Sequence, residues 1–122
     1  MNFIDSSVIA LAFTPNPKSE RCQKAIQEGG VINGLVLMES FEVIKRILKS
    51  HELAFKSIRS LMGSGIKIIE VSNDIIFDSI KNDNKLKIFD LVHYRTALNE
   101  GCSQILSYDN HFDNLKIKRV EP

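Results

Sequence analysis

Short apolar segments alternate with longer stretches of helical spacing along almost the whole chain, and that alternation limits the fold more than any other feature of the sequence. Asn2 to Ile4, Val31-Ile32, Ile66 to Val71, Gln104 to Ser107 and Leu115 to Val120 are short, apolar or alternating, and bounded by glycine or small polar residues, as strands are. Between them, Leu35 to Ser50 carries apolar residues at 35, 36, 38, 41, 43, 44, 47 and 48, which is helical spacing. Further helices are predicted over Val8 to Phe13, from Ser19 to Ile26, over Leu53 to Met62, from a cap at Asn73 or Asp74 through Ile80, and over Ile88 to Leu98, with Gly29-Gly30, Gly63-Ser64-Gly65 and Asn82-Asp83-Asn84 as stops. Strands separated by helices need crossover connections. The expectation is an α/β, three-layer α/β/α sandwich with a mostly parallel sheet of about five strands.

A length of 122 residues suits one compact domain, expected over residues 1–122. Sixteen basic and fifteen acidic residues leave a formal charge of +1, so any nucleic-acid binding must come from local patches. The longest apolar run, Val8 to Phe13, is far below the roughly 20 residues of a membrane span. Met1 to Asp5 lacks the basic start and apolar stretch of a signal peptide, so an intracellular, cytoplasmic protein is expected. Cys22 and Cys102 have no CxxC spacing and read as reduced, inert thiols. His51, His93 and His111 are dispersed without an HExxH or paired-ligand pattern, which argues against zinc.

Four acids stand apart because each follows an apolar run: Asp5 after Phe3-Ile4, Glu39 after Leu35 to Met38, Asp90 after Ile88-Phe89, and Asp109 after Ile105-Leu106. Asp5 and Asp109 come at strand ends, where ligands collect in parallel sheets. Any one of them alone reads best as a cap or a solvated acid. Together they read as a site: like charges about 4 Å apart repel by about 4 kcal/mol at an effective dielectric of roughly 20. A cation or raised pKa values must relieve that repulsion. An all-oxygen donor set suits Mg²⁺ or Mn²⁺. Glu42 rivals Glu39 and Asp113 rivals Asp109, each close by in sequence.

These residues resemble the PIN-domain family. Phe3-Ile4-Asp5-Ser6-Ser7-Val8-Ile9 looks like the family's opening motif, and Leu35 to Glu39 followed by Val43-Ile44-Lys45-Arg46 is similar to its second. Asp90 to Ala97 resembles the third, departing from its small apolar pattern at His93-Tyr94-Arg95, and Leu106 to Phe112 resembles the fourth. The likeness runs through nearly the whole chain in the right order, and the size matches the VapC-like toxins.

The resemblance implies a metal-dependent endoribonuclease, the toxin of a type II toxin–antitoxin pair. Asp5, Glu39 and Asp90 would be the principal ligands of one or two Mg²⁺ or Mn²⁺ ions, with Asp109 a fourth acid acting directly or through water. Ser7 and Ser107 would orient ligands or waters, and the phosphodiester would be hydrolysed by in-line attack. Implied partners are an RNA substrate, an antitoxin that covers the groove, and a second copy in a homodimer. Lys45, Arg46 and Lys49, or Lys85, Lys87 and Arg95, are candidate phosphate contacts. His93, three after Asp90, reads as a packed or surface histidine rather than a phosphate contact. A catalytically silent PIN-like binding module is the main alternative, and a receiver-like phosphoacceptor domain, which lacks helix-borne acids aimed at the same pocket, is the weaker one.

Overall fold

The computed structural model describes residues 1–82 and 85–122. The expected helix break at Asn82-Asp83-Asn84 falls partly on residues 83 and 84, outside the described residues. In chain order the elements are β1 (Asn2–Ile4), α1 (Ser6–Ala12), α2 (Ser19–Gln27), β2 (Val31–Asn33), α3 (Gly34–Leu48), α4 (His51–Met62), β3 (Lys67–Ile69), α5 (Asn73–Lys81), α6 (Ile88–Asn99), β4 (Gln104–Leu106), a 3₁₀ turn at Asn110–Phe112, and β5 (Lys118–Val120).

The strands form one sheet in the order β3-β2-β1-β4-β5, and every pairing is parallel. The chain steps outward from β1 to β2 to β3, then returns across the sheet to β4 and on to β5. Right-handed crossovers therefore put α1 to α4 on one face and α5 and α6 on the other. The helix contacts agree: α1 packs on α2 and α3, α3 on α4, and α5 on α6. The direction of travel reverses between β1 and β4, and such a switch point opens a crevice beyond the strands' carboxyl ends. The architecture is the expected three-layer sandwich, with a wholly parallel sheet among the described residues.

Strands covered on both faces must be apolar throughout. Phe3, Ile4, Val31, Ile32 and Ile105 accordingly have no exposed surface. Val8, Ile9, Val36, Leu61 and Phe112 close over them in one core. Burying such side chains contributes about 1.5–3 kcal/mol each. A satellite cluster of Ala10, Ile44 and Ala54, with Phe41 and Ile58 against it, lies between α1, α3 and α4.

Local boundaries differ from expectation in three places. The stretch Leu35 to Ser50 is not helical to its end: Lys49 turns into the left-handed region at φ 52°, and the Ser50 hydroxyl accepts the Leu53 N–H to start α4. Ser72, not Asn73 or Asp74, caps α5, because its extended backbone lets its hydroxyl accept the Ile75 N–H. Only Lys118–Val120 pairs in the last strand, since the chain bends at residues 115–117 after the turn in which Asn114 takes φ 64°. The apolar alternation before it serves burial of Ile117, not pairing.

Candidate metal centre

Where β1 ends, the Asp5 N–H continues the ladder to the Leu106 carbonyl at 2.9 Å, and the Asp5 side chain caps α1. Asp5 is 5% exposed as a residue, and the hydrogen bonds to its carboxylate converge on one oxygen. Oδ2 accepts the Ser7 hydroxyl at 2.9 Å, the Ser107 hydroxyl at 2.8 Å and the Ser7 N–H at 3.4 Å. Both serine oxygens also accept from the β4 end: Ser7 from the Tyr108 N–H at 3.1 Å, and Ser107 from the Asp109 N–H at 2.9 Å. Oδ1 receives no hydrogen bond among the described residues and remains open to a ligand.

Glu39 reaches the same place from the second turn of α3, and its Oε1 accepts from His93 Nε2 at 2.6 Å. His93 is fully buried on α6, three residues after Asp90, with its ring packed on Phe3. Asp90 sits in the first turn of α6, where the helix dipole favours an anion. Its carboxyl is nevertheless held above the usual carboxylate range, first by burial and next by the charge on Asp109. His111 faces both acids, with Nδ1 3.1 Å from Asp109 Oδ1 and 3.5 Å from Asp90 Oδ2.

Asp5, Glu39, Asp90 and Asp109 all line one cleft, floored by Ser6, Ser7, Ala10 and Val43. A neighbouring cleft shares Glu39, Asp90 and Asp109 and extends along Lys87, Ile88, Phe89 and His111. Potential donor atoms of Asp5, Glu39 and His93 lie within 4.8 Å of one another, as do those of Asp90, Asp109 and His111. Oxygen-rich, anionic and partly desolvated, this arrangement fits a hard divalent cation.

The two rivals point elsewhere. Glu42 is exposed, pairs with Lys45 at 3.6 Å and faces the apolar surface of α3 and α4. Asp113 is tied to Arg119 Nε at 2.7 Å. Of the candidate cations, Lys87 lines the neighbouring cleft, whereas Arg95 opens with Lys116 onto a separate one. Lys85, Arg46 and Lys49 lie on the surface. Burial pushes the thiols of Cys22 and Cys102 up, as befits unreactive cysteines.

Dispersal in sequence concealed two of the three histidines, since His93 and His111 both stand against the acids. The position of His93, one helical turn from Asp90, carried that signal. Asn33, which follows the predicted strand Val31-Ile32 and has no role assigned from sequence, is fully buried and bonded to His93.

The PIN domain family model matches residues 3–118. The chain belongs to the PIN domain family. Among solved structures, this PIN domain superposes on VapC20 of Mycobacterium tuberculosis, described as a sarcin–ricin loop cleaving toxin, with a TM-score of 0.83, 13% identity and full coverage of both chains. A toxin–antitoxin complex from Klebsiella pneumoniae gives a TM-score of 0.77 and 20% identity over 100% of this chain and 98% of that one. At such identities the likeness is one of fold. No curated relative matches the sequence. Among the described residues, no helix of this PIN domain is long and apolar enough to cross a membrane.

Proposed function

We propose that this PIN domain is a Mg²⁺- or Mn²⁺-dependent endoribonuclease, acting in the cytoplasm as the toxin of a type II toxin–antitoxin pair. The observation that carries the reading is the convergence of Asp5, Glu39, Asp90 and Asp109 on one cleft at the switch point of the sheet. Membership of the family and the likeness in fold to a toxin and to a chain of a toxin–antitoxin complex support it.

Asp5 Oδ1 and Glu39 Oε2, which accept no hydrogen bond among the described residues, would hold the cation together with Asp90 and Asp109. When bound, a divalent cation supplies Lewis-acid charge for the phosphate oxygens and a more acidic water. Ser7 and Ser107 hold Asp5 in place, so its geometry is set before any ligand arrives. Lys87 offers a cation to a neighbouring phosphate, and the exposed ring of Phe89 offers a surface on which a base can stack. An antitoxin segment would cover this cleft. The apolar surface around Met38 and Phe55 on α3 and α4 suits a second copy of the chain.

The test is RNA cleavage by the purified, partner-free protein with Mg²⁺, Mn²⁺ or EDTA, comparing wild type with Asp5→Asn and Asp90→Asn. Cleavage is expected with either metal, and neither in EDTA nor in the variants. Cleavage that survives both substitutions and EDTA would sink the mechanism. Metal binding without cleavage would point to a catalytically silent module.

A further inference from the structure

His93 poses a specific question. A buried imidazole 2.6 Å from a carboxylate can be a further metal ligand or the group that holds the carboxylate still. The hydrogen bonds at its other nitrogen decide between them. Asn33 Oδ1 accepts the Val36 N–H at 3.1 Å, as the cap of α3. The amide's NH₂ therefore faces inward, donating to Thr96 Oγ1 at 3.0 Å and to His93 Nδ1 at 3.1 Å. Turned over, the amide would set its NH₂ against the Val36 N–H, donor against donor. The Thr96 hydroxyl in turn donates to the Val92 carbonyl at 2.8 Å, so its oxygen is free to accept from Asn33. Nδ1 is thus an acceptor, the ring proton lies on Nε2, and that proton is aimed at Glu39 Oε1. A nitrogen bearing a proton has no lone pair for a cation.

We propose that His93 is a positioning residue for Glu39: locked by Asn33 as the Nε2–H tautomer, it holds Oε1, leaves Oε2 for the divalent cation, and is not itself a ligand. This rests on the cation-binding half of the proposed function and not on RNA cleavage.

Two measurements test it. Imidazole ¹⁵N spectra of the wild-type protein at neutral pH should show His93 protonated on Nε2 alone, before and after Mg²⁺ is added. A proton on Nδ1, or loss of the Nε2 proton as Mg²⁺ binds, overturns the proposal. Calorimetric titration with Mn²⁺ supplies the second readout. His93→Leu keeps the volume but removes the donor, and should weaken Mn²⁺ binding by roughly 10- to 100-fold. His93→Gln, whose amide can present an N–H near the same place, should recover most of that loss. Wild-type affinity in His93→Leu, with Asp5→Asn still abolishing binding, overturns the proposal. Should the leucine variant fail to fold, the wild-type spectra still decide. RNA cleavage assayed in parallel separates the two readings: Mn²⁺ binding that depends on His93 without cleavage defeats the nuclease and upholds the positioning role, while a wild type that binds no Mn²⁺ defeats the positioning role.

Discussion

Ser107 donates its hydroxyl to the buried carboxylate of Asp5 at 2.8 Å, joining the ends of β1 and β4 across 102 residues of chain. Ser7 reaches the same oxygen, and the two hydroxyl oxygens are 3.4 Å apart. Ser107→Ala should cost about 1–3 kcal/mol, since a buried carboxylate loses a donor and the Asp109 N–H loses its acceptor. The Ser7→Ala/Ser107→Ala pair should depart from additivity by about 0.5 kcal/mol or more. Urea denaturation of the four proteins of the cycle measures both, and additive, sub-threshold losses would show that the serines do not act as a unit.

Asp90 gives the metal-free protein a definite pH dependence. Burial, and then the charge on Asp109, hold its carboxyl above the usual range. Between the ordinary carboxylate value and that raised one, the folded state keeps a proton that the unfolded state has released. Stability therefore falls as pH rises through this window and stays lower above it. Asp90→Asn removes the charge, so in EDTA at neutral pH the variant should melt higher than wild type. Melting curves against pH check this, and an unchanged or lower melting temperature would contradict it.

Gly30 brings the chain close under β1 just before β2. A Cβ there would stand 2.8 Å from the Asn2 carbonyl oxygen and 3.0 Å from Ile4 Cδ1. The Ile4 side chain can turn aside, but the Asn2 carbonyl cannot yield without moving β1, which leads into Asp5. Gly30→Ala should destabilise by about 1–3 kcal/mol, the usual cost of overpacking. Chemical denaturation at equilibrium reads the change, and a neutral result would mean that β1 shifts freely.

Lys49 offers the opposite case. It holds φ at 52° between α3 and α4, a conformation costing an L-residue roughly 1–2 kcal/mol and glycine little. Lys49→Gly should therefore stabilise by up to about 1 kcal/mol. Lys49 was also a candidate phosphate contact, and the same variant tests that role. Weaker RNA binding by a more stable protein would show that Lys49 touches RNA, and unchanged binding that it serves only the turn.

Much of the fold was legible because the pattern of burial is local. The five strands and the helices between them follow from alternation, helical spacing and caps that each lie within a few residues. The errors were local too, and arose where two signals competed: Ser72 against Asn73 for a cap, and helical continuity through Lys49 against the cap at Ser50. Likewise, Leu115 to Val120 alternates because alternate side chains are buried, but alternation cannot report whether the backbone has a neighbour to pair with. Within the site, the apolar run before Glu39 favours it over Glu42, and the structure turns Glu39 into the cleft and Glu42 toward Lys45.

The sequence by itself determined which acids stand behind apolar segments, and that two of them follow strands of a parallel sheet. Both depend only on neighbours along the chain. The tertiary structure alone decided what those acids meet: Ser107 on Asp5, His93 on Glu39, and Asn33 on His93, the last pair 60 residues apart. Sequence can name a hydrogen-bonding side chain. Which atom of it donates, and to what, depends on where the crossovers bring distant segments together. That is why Asn33, at the end of β2, fixes a proton on a histidine of α6.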